Sequence, residues 1–483
     1  YSQETAKIEI KRIIGQWMNG SQSGYVLGFE GPPGIGKTSL AKNGIAKCLI
    51  DNNGESRPFS FIALGGTCNG STLEGHNYTY VGSTWGRIVD ILMDVKCMNP
   101  IIFIDELDKV SKTDHGKEII GILTHLTDTT QNGEFNDKYF SGIDLDLSRV
   151  LFIFSYNDYS LLDPILADRI HRVKFKRLSK KDKFKIAREY ILPELLSIVG
   201  FNKGTIIFPD NVLEYIINNY TYEAGARKLK EKLFEIIRNI NLRYLQGDFD
   251  NINLPYEITI ELVNDIFRDK NKIIIKKILD NPKVGHVNGL YATSSGLGGL
   301  TIIEAFKTPS ESKLSLELTG KQGDVMKESM KVAKTVAWNL LPDNIKKNIW
   351  TNMKDNTPFG IHIHCPEAAV PKDGPSAGIA ITLAIVSLLC NIPIKNTIAL
   401  TGEIDLNGTI HQIGGLCIKI DGAKQAGVKT VICPEQNKTD IDNIILKDTL
   451  FLDNIEIVYI KTIWDVLKIA FVDNNIIFNH YSH

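Results

Sequence analysis

Residues 371–378 read PKDGPSAG and set Ser376 between Gly374 and Gly378. G-x-S-x-G is the spacing of a hydrolase nucleophile elbow. A serine hydroxyl attacks a carbonyl only when a base takes its proton. His411, His480 and His483 lie downstream, His411 after the turn-like DLNGT and the other two in an apparent tail. An α/β-hydrolase triad would have to draw on these. Ser376 could instead cap the apolar run AGIAITLAIVSLL, since serine accepts well from the first N–H groups of a helix. A third reading uses lysine. GGLCIKIDGAKQAG, residues 414–427, sets Lys419 between Ile418 and Ile420 on an apolar-faced segment. Lysine is a base only when neutral, and burial lowers its reference pKa of ~10.4 by several units. From these residues alone the three readings stay open.

A second chemistry sits upstream. GPPGIGKTS runs from Gly31 through Pro32, Pro33, Gly34, Ile35, Gly36, Lys37 and Thr38 to Ser39, and fits G-x-x-x-x-G-K-[ST]. It follows a strand pattern and opens a helical one, the context that phosphate loop requires. Backbone N–H groups there point at phosphates, Lys37 reaches the β- and γ-phosphates of ATP, and Thr38 offers its hydroxyl to Mg²⁺. IIFIDELDKV ends an apolar strand at Asp105, placed to hold Mg²⁺, and Glu106, placed to polarise the attacking water. Asn157 ends the strand FIFSYN, where it would stand between Glu106 and the γ-phosphate. Arg169, in LADRIHRV, would reach a neighbouring subunit's site. Arg227, in YEAGARKL, would sense the γ-phosphate. Either arginine, taken alone, reads more readily as a surface charge. His362 and His364 share a strand face, with no third metal ligand at a suitable spacing, and read as structural.

These groups need scaffolds. A length of 483 residues suggests about three domains. Hydrophobic residues at 43% and charged residues at 23% fit a soluble globular protein. The net charge of −1, without a long basic cluster, gives no indication of nucleic acid. Seven cysteines without a C-x-x-C pair suggest reduced thiols. The longest apolar run, 378–390, is too short for a bilayer, which needs about 20 residues, and reads as a buried core helix. The chain starts inside a helical pattern with no signal peptide, as expected of a piece of something longer. Residues 1–175 alternate strand and helix patterns, an α/β subdomain with a parallel sheet. Residues 176–268 have helical periodicity and read as an α-helical subdomain. Residues 269–285 read as a linker, 286–475 as an α+β domain and 476–483 as a tail. GLGG at 296–299 reads as a hairpin turn.

In order and approximate spacing, the phosphate loop, Asp-Glu strand, Asn strand end, Asp-Arg and EAGAR resemble AAA+ ATPases. ALGG, GHNYTYVGS and EAGARKL are more narrowly similar to the ATPase module of the Lon proteases. PKDGPSAG, LTGEIDLNG and GGLCIK resemble the three signature segments of the Lon-type peptidase domain. The likeness runs from about residue 5 to 470, and the family's N-terminal substrate-recognition domain is outside it. It implies an α/β AAA+ ATPase core with an α-helical lid, followed by an α+β Lon-type peptidase domain. It implies Ser376 as nucleophile, Lys419 as base and Thr401 as the residue holding the lysine. It also implies ATP and Mg²⁺ as cofactors, and Tyr80 and Val81 as a pore loop gripping polypeptide. The expected assembly is a homohexamer acting on unfolded or damaged proteins, without a membrane, in the cytoplasm or else the mitochondrial matrix. Cys417 stands where the family commonly has a charged residue, and the segment after the Asp-Glu strand keeps the family pattern only loosely, which leaves a second pore loop in doubt. The rival readings are a non-proteolytic AAA+ remodeller and a recombination or helicase-type ATPase.

Overall fold

The computed structural model describes residues 1–19, 26–50, 54–65, 69–111, 113–246, 255–273, 275–293, 297–320, 322–355, 358–366, 374–446 and 451–473. His480, His483 and the proposed tail lie outside the described residues. The chain divides into two compact units at 273/274.

In the first unit β1 (Val26–Glu30), β2 (Phe59–Ala63), β3 (Ile101–Asp105), β4 (Leu151–Tyr156) and β5 (His171–Lys174) form a parallel sheet of order β2-β3-β4-β1-β5. The runs IIFI and LFIF do not alternate with polar residues because both faces of the sheet are covered. Leu27, Phe29, Phe103 and Ile153 enter one core. Val26, Ile102, Ile104 and Phe154 enter the other. The strand order makes the carboxyl ends of β1, β3 and β4 neighbours, where open α/β sheets bind ligands. The segments leaving those ends carry the phosphate loop, Asp105-Glu106 and Asn157. Beyond β5 the unit is mostly helical. The helix Arg227–Gln246 buries Leu229, Leu233, Ile236, Ile237 and Ile240, one stripe at helical spacing.

The second unit is built on β6 (His286–Ala292), β7 (Gly298–Pro309), β8 (Leu316–Thr319), β9 (Phe359–His364), β10 (Ile398–Leu400), β11 (Thr430–Pro434) and β12 (Glu456–Ile460), ordered β8-β9-β7-β6-β10-β11-β12. β7 runs antiparallel to β6 and β9, and the other pairings are parallel. The helix Gly378–Cys390 is buried on every side from Gly378 to Ser387 and packs on the helix Asp324–Leu340. Among the described residues no helix is long and apolar enough to cross a membrane.

Two stretches differ in detail from their sequence patterns. Gly298 and Gly299, expected in a turn, open strand β7, while Gly296 lies outside the described residues. TIALTGEID is not one strand. β10 stops at Leu400, and Glu403–Ile404 pairs instead with Ile410–His411. The residues between, Thr401 and Gly402, turn toward Ser376. Within the segment 269–285, Ile273 N–H donates to Asn219 O, Ile278 N–H to Ala426 O, and Gly285 N–H to Ser387 Oγ.

Because the core helix has no solvent face, Leu383→Ala is expected to lower the stability of the second unit by about 2–5 kcal/mol, measured as a shift in its chemical-denaturation midpoint. A loss below about 1 kcal/mol would contradict the close packing around this helix.

Candidate active sites

In the first unit, Gly34 to Ser39, Asp105, Glu106, Asp108, Asn157 and Arg227 line one cleft of ≈ 1080 Å³. Lys37, 9% exposed, donates to the carbonyls of Gly31 and Tyr156, the latter at 3.0 Å, and lies 3.4 Å from Asn157 Oδ1. Burial brings its pKa down to about 8, and Asp105, Asp108 and Glu30 oppose that fall. The amine is therefore mostly cationic at neutral pH. Gly34 and Gly36 hold φ of +76° and +96°, which leaves a bare backbone turn at the start of the helix. Such turns bind phosphates. Asp108 Oδ1 is buried in the cleft wall with no hydrogen-bond partner among the described residues, while Oδ2 accepts from Asn157 N–H at 3.1 Å. A bare cationic loop beside an orphaned carboxylate oxygen suits a nucleotide phosphate with a divalent cation.

Glu106 sits in the left-handed region at φ 62° and pairs with Lys109. A non-glycine residue in this region commonly marks a functional site. Gly65, in ALGG, explains how the carboxylate fits. A Cβ added at Gly65 would stand 2.9 Å from the Glu106 carboxyl carbon and closer still to Oε2. The spacing of ALGG gave no sign of this contact, nor of Asp108 as the partner of Asn157. Arg227 comes over the loop because Ala226 N–H donates to Gly34 O at 3.0 Å. Its side chain is 77% exposed and lies 3.5 Å from Glu231. Arg169 is not among the cleft residues: its Nη1 donates to Thr124 O at 3.0 Å and Asp128 Oδ2 at 2.7 Å. Tyr80 and Val81 project from a loop closed by His76 N–H donating to Thr84 O, and are 69% and 106% exposed. They are not packed into a core. The base of that loop is fixed by the fully buried Asp137, whose carboxylate accepts from Gly86 N–H at 2.9 Å and Tyr139 N–H at 2.8 Å.

In the second unit, Lys419 lies on the helix Leu416–Ala426 and is 4% exposed. Its amine donates to Thr401 Oγ1 at 3.0 Å. The Thr401 hydroxyl donates in turn to Ser376 O at 3.4 Å, and Gly402 N–H donates to the same carbonyl at 2.8 Å. Burial alone brings the Lys419 pKa down to about 8. The lysine is thus tied to the serine's own residue through one buried hydroxyl. Ser376 lies in the turn Pro375–Ala377, and the helix cap is Ala377, so Ser376 is not the cap. Pro371, Lys372 and Asp373 lie outside the described residues. His411 Nε2 pairs with Asp405 Oδ2 at 3.1 Å. His362 and His364 both bond Thr319 Oγ1, at 2.9 and 2.7 Å, and no metal-binding group occurs among the described residues.

Residues 258–473 match the Lon protease (S16) C-terminal proteolytic domain, and 199–252 the Lon protease AAA+ ATPase lid domain. The chain belongs to the Lon protease family. Residues 27–178 match the ATPase family associated with various cellular activities, so the family's nucleotide-binding domain, lid and proteolytic domain follow in order. A Lon protease homolog of Acanthamoeba polyphaga mimivirus is 38% identical over 97% of this chain and 50% of its own length. The Lon protease of Campylobacter concisus is 37% identical over 95% of this chain and 56% of its own. The mitochondrial Lon protease homolog of Drosophila melanogaster is 34% identical over 98% and 45%. The chain thus spans about half the length of the curated relatives it matches.

Glu106→Gln is expected to keep nucleotide binding and lose hydrolysis. Gly65→Ala, by displacing the same carboxylate, is expected to bind nucleotide near the parent level and hydrolyse it at least about tenfold more slowly. Gly65→Ala in a Glu106→Ala background has no carboxylate to displace and should add nothing. Hydrolysis at the parent rate in Gly65→Ala would show that the contact does not set Glu106.

Proposed function

We propose that this chain is the catalytic part of an ATP-dependent serine endopeptidase that unfolds, translocates and degrades protein substrates. The observation that carries the peptidase half is the buried line from Lys419 Nζ to Thr401 Oγ1 to the Ser376 carbonyl. Neutral Lys419 takes the Ser376 proton as Oγ attacks a peptide carbonyl. The protonated amine then returns that proton to the leaving nitrogen, and the acyl-enzyme is hydrolysed by water that the same amine deprotonates. Thr401 keeps the amine in place. Backbone N–H groups near Ser376, at the start of the core helix, receive the oxyanion.

In the ATPase half, Lys37 and the loop Gly31–Ser39 hold the phosphates, and Thr38 and Asp105 hold Mg²⁺. ATP hydrolysis supplies the free energy for unfolding and takes no part in breaking peptide bonds. Glu106 orients the attacking water, Asn157 borders it, and Arg227 contacts the γ-phosphate side of the cleft. Tyr80 and Val81, exposed at a loop tip, grip the polypeptide. The working form is a homohexamer in which Arg169 leaves Asp128 to complete a neighbour's cleft. Cys48, Cys97, Cys390 and Cys433 are free thiols, in keeping with a reducing compartment such as the cytoplasm.

Ser376→Ala is expected to abolish peptide cleavage with ATPase retained. Lys419→Arg keeps the charge, but guanidinium does not give up its proton near neutral pH. It should therefore be nearly as inactive as Lys419→Ala. A Lys419→Arg enzyme cleaving peptide at a tenth of the parent rate or better would overturn the base assignment. An enzyme that hydrolyses ATP and remodels proteins but cleaves neither peptide nor casein would favour the remodeller reading.

Arg169→Ala should lower ATPase activity, by a factor on the order of 10³ for a finger of full strength. Rings shown to mix Arg169→Ala with Lys37→Ala subunits should recover part of it. Absence of recovery would assign Arg169 a role within its own subunit.

A further inference from the structure

The position of Lys419 depends on a contact outside its hydrogen bonds. The helix Leu416–Ala426 lies flush on the first residues of β7. A Cβ at Gly298 would stand 2.6 Å from the Ile418 carbonyl carbon and closer still to its oxygen. The contact is backbone on backbone, so no side chain can swing aside to relieve it. From the other side, a Cβ at Gly422 would stand 2.7 Å from Gly298 O. Ile418 directly precedes Lys419, and Gly422 follows it by less than one turn. The two glycines therefore set how deeply the helix sinks onto the sheet at the point where the lysine leaves it.

That depth bears on the lysine's ionisation. The titratable groups on the elements packed around it are Cys417 and Asp421 on the same helix, Tyr291 on β6, and Asp440 and Asp442 on the helix Lys438–Ile445, and burial is the cause of the lowered Lys419 pKa. Among the described residues, exclusion of water is what disfavours the ammonium. Raising the helix by even a fraction of an ångström stretches the 3.0 Å bond to Thr401 and admits solvent.

We propose that Gly298 is a positioning residue of the peptidase site, whose missing side chain lets the lysine-bearing helix sink far enough onto β7 to bury the Lys419 amine against Thr401. The proposal rests on Lys419 being the base, so its test reads the lysine separately from catalysis. Lys419 ionisation is followed by pH-dependent amine labelling and mass spectrometry in a Ser376→Ala chain, with and without Gly298→Ala. Peptide cleavage against pH is followed in parallel in chains retaining Ser376. Gly298→Ala should move the labelling midpoint from about 8 toward ~10.4. Peptide cleavage near pH 7.5 should fall at least about tenfold, with partial recovery at higher pH and unchanged ATPase activity.

Gly299→Ala is the control. Its Cβ would meet the Tyr291 ring rather than the helix, and the midpoint should stay in place. Gly422→Val enters the contact from the helix side and must move the midpoint the same way, including where Gly298→Ala does not fold. An unmoved midpoint in both folded variants overturns the proposal, as does a uniform loss of cleavage at every pH. A moved midpoint with unchanged cleavage would support the positioning role and refute Lys419 as the base.

Discussion

A lysine can accept a proton only after losing its own, and water opposes that loss. The second unit answers this by burial. The Lys419 amine is drawn into a site with one hydrogen-bond partner, the Thr401 hydroxyl, and without an opposing charge among the described residues. The rest of the unit follows from that need. The core helix, buried from Gly378 to Ser387, fixes the end of the turn that carries Ser376. β10 ends at Leu400 so that Thr401 and Gly402 can leave the sheet and meet the Ser376 carbonyl. A carboxylate near the amine would raise its pKa and keep it protonated, leaving less of the neutral form that can accept a proton.

The first unit puts a buried lysine to a different use. Lys37 is also buried, and its pKa is also lowered to about 8, but Asp105, Asp108 and Glu30 act to keep it cationic. One kind of side chain thus serves two chemistries. A charge is wanted where phosphates are to be held, and a neutral amine is wanted where a proton is to be taken. Both amines come to about 8, so the cationic fraction at neutral pH serves Lys37, and the neutral fraction, which grows as pH rises through that value, serves Lys419.

Legibility in the sequence tracked how local each feature is. The parallel sheet could be read because buried strands are continuous apolar runs, and the phosphate loop because its glycines and lysine are contiguous. Ser376 and Lys419 could be singled out, but not joined. Their link runs through Thr401, and a threonine at a strand end has no spacing signal of its own; the family resemblance supplied it. Contacts defined by an absent side chain were the least legible. Gly65 beneath Glu106, and Gly298 beneath the lysine helix, come together only through sheet pairing and helix packing. Gly298 was even read as a turn, since a glycine pair near a hairpin usually marks one. The pairing of Arg169 with Asp128 was hidden for a related reason, because the two are brought together only by the fold.

The measurement that bears most directly on the central claim is the pH dependence of Ser376 modification by a fluorophosphonate, which needs no protein substrate, no ATP and no leaving peptide. With Lys419 as a buried neutral base, the labelling rate should rise with pH through a midpoint near 8, and Lys419→Ala should label slowly without that midpoint. A midpoint near lysine's reference of ~10.4, or labelling indifferent to Lys419→Ala, would contradict the account.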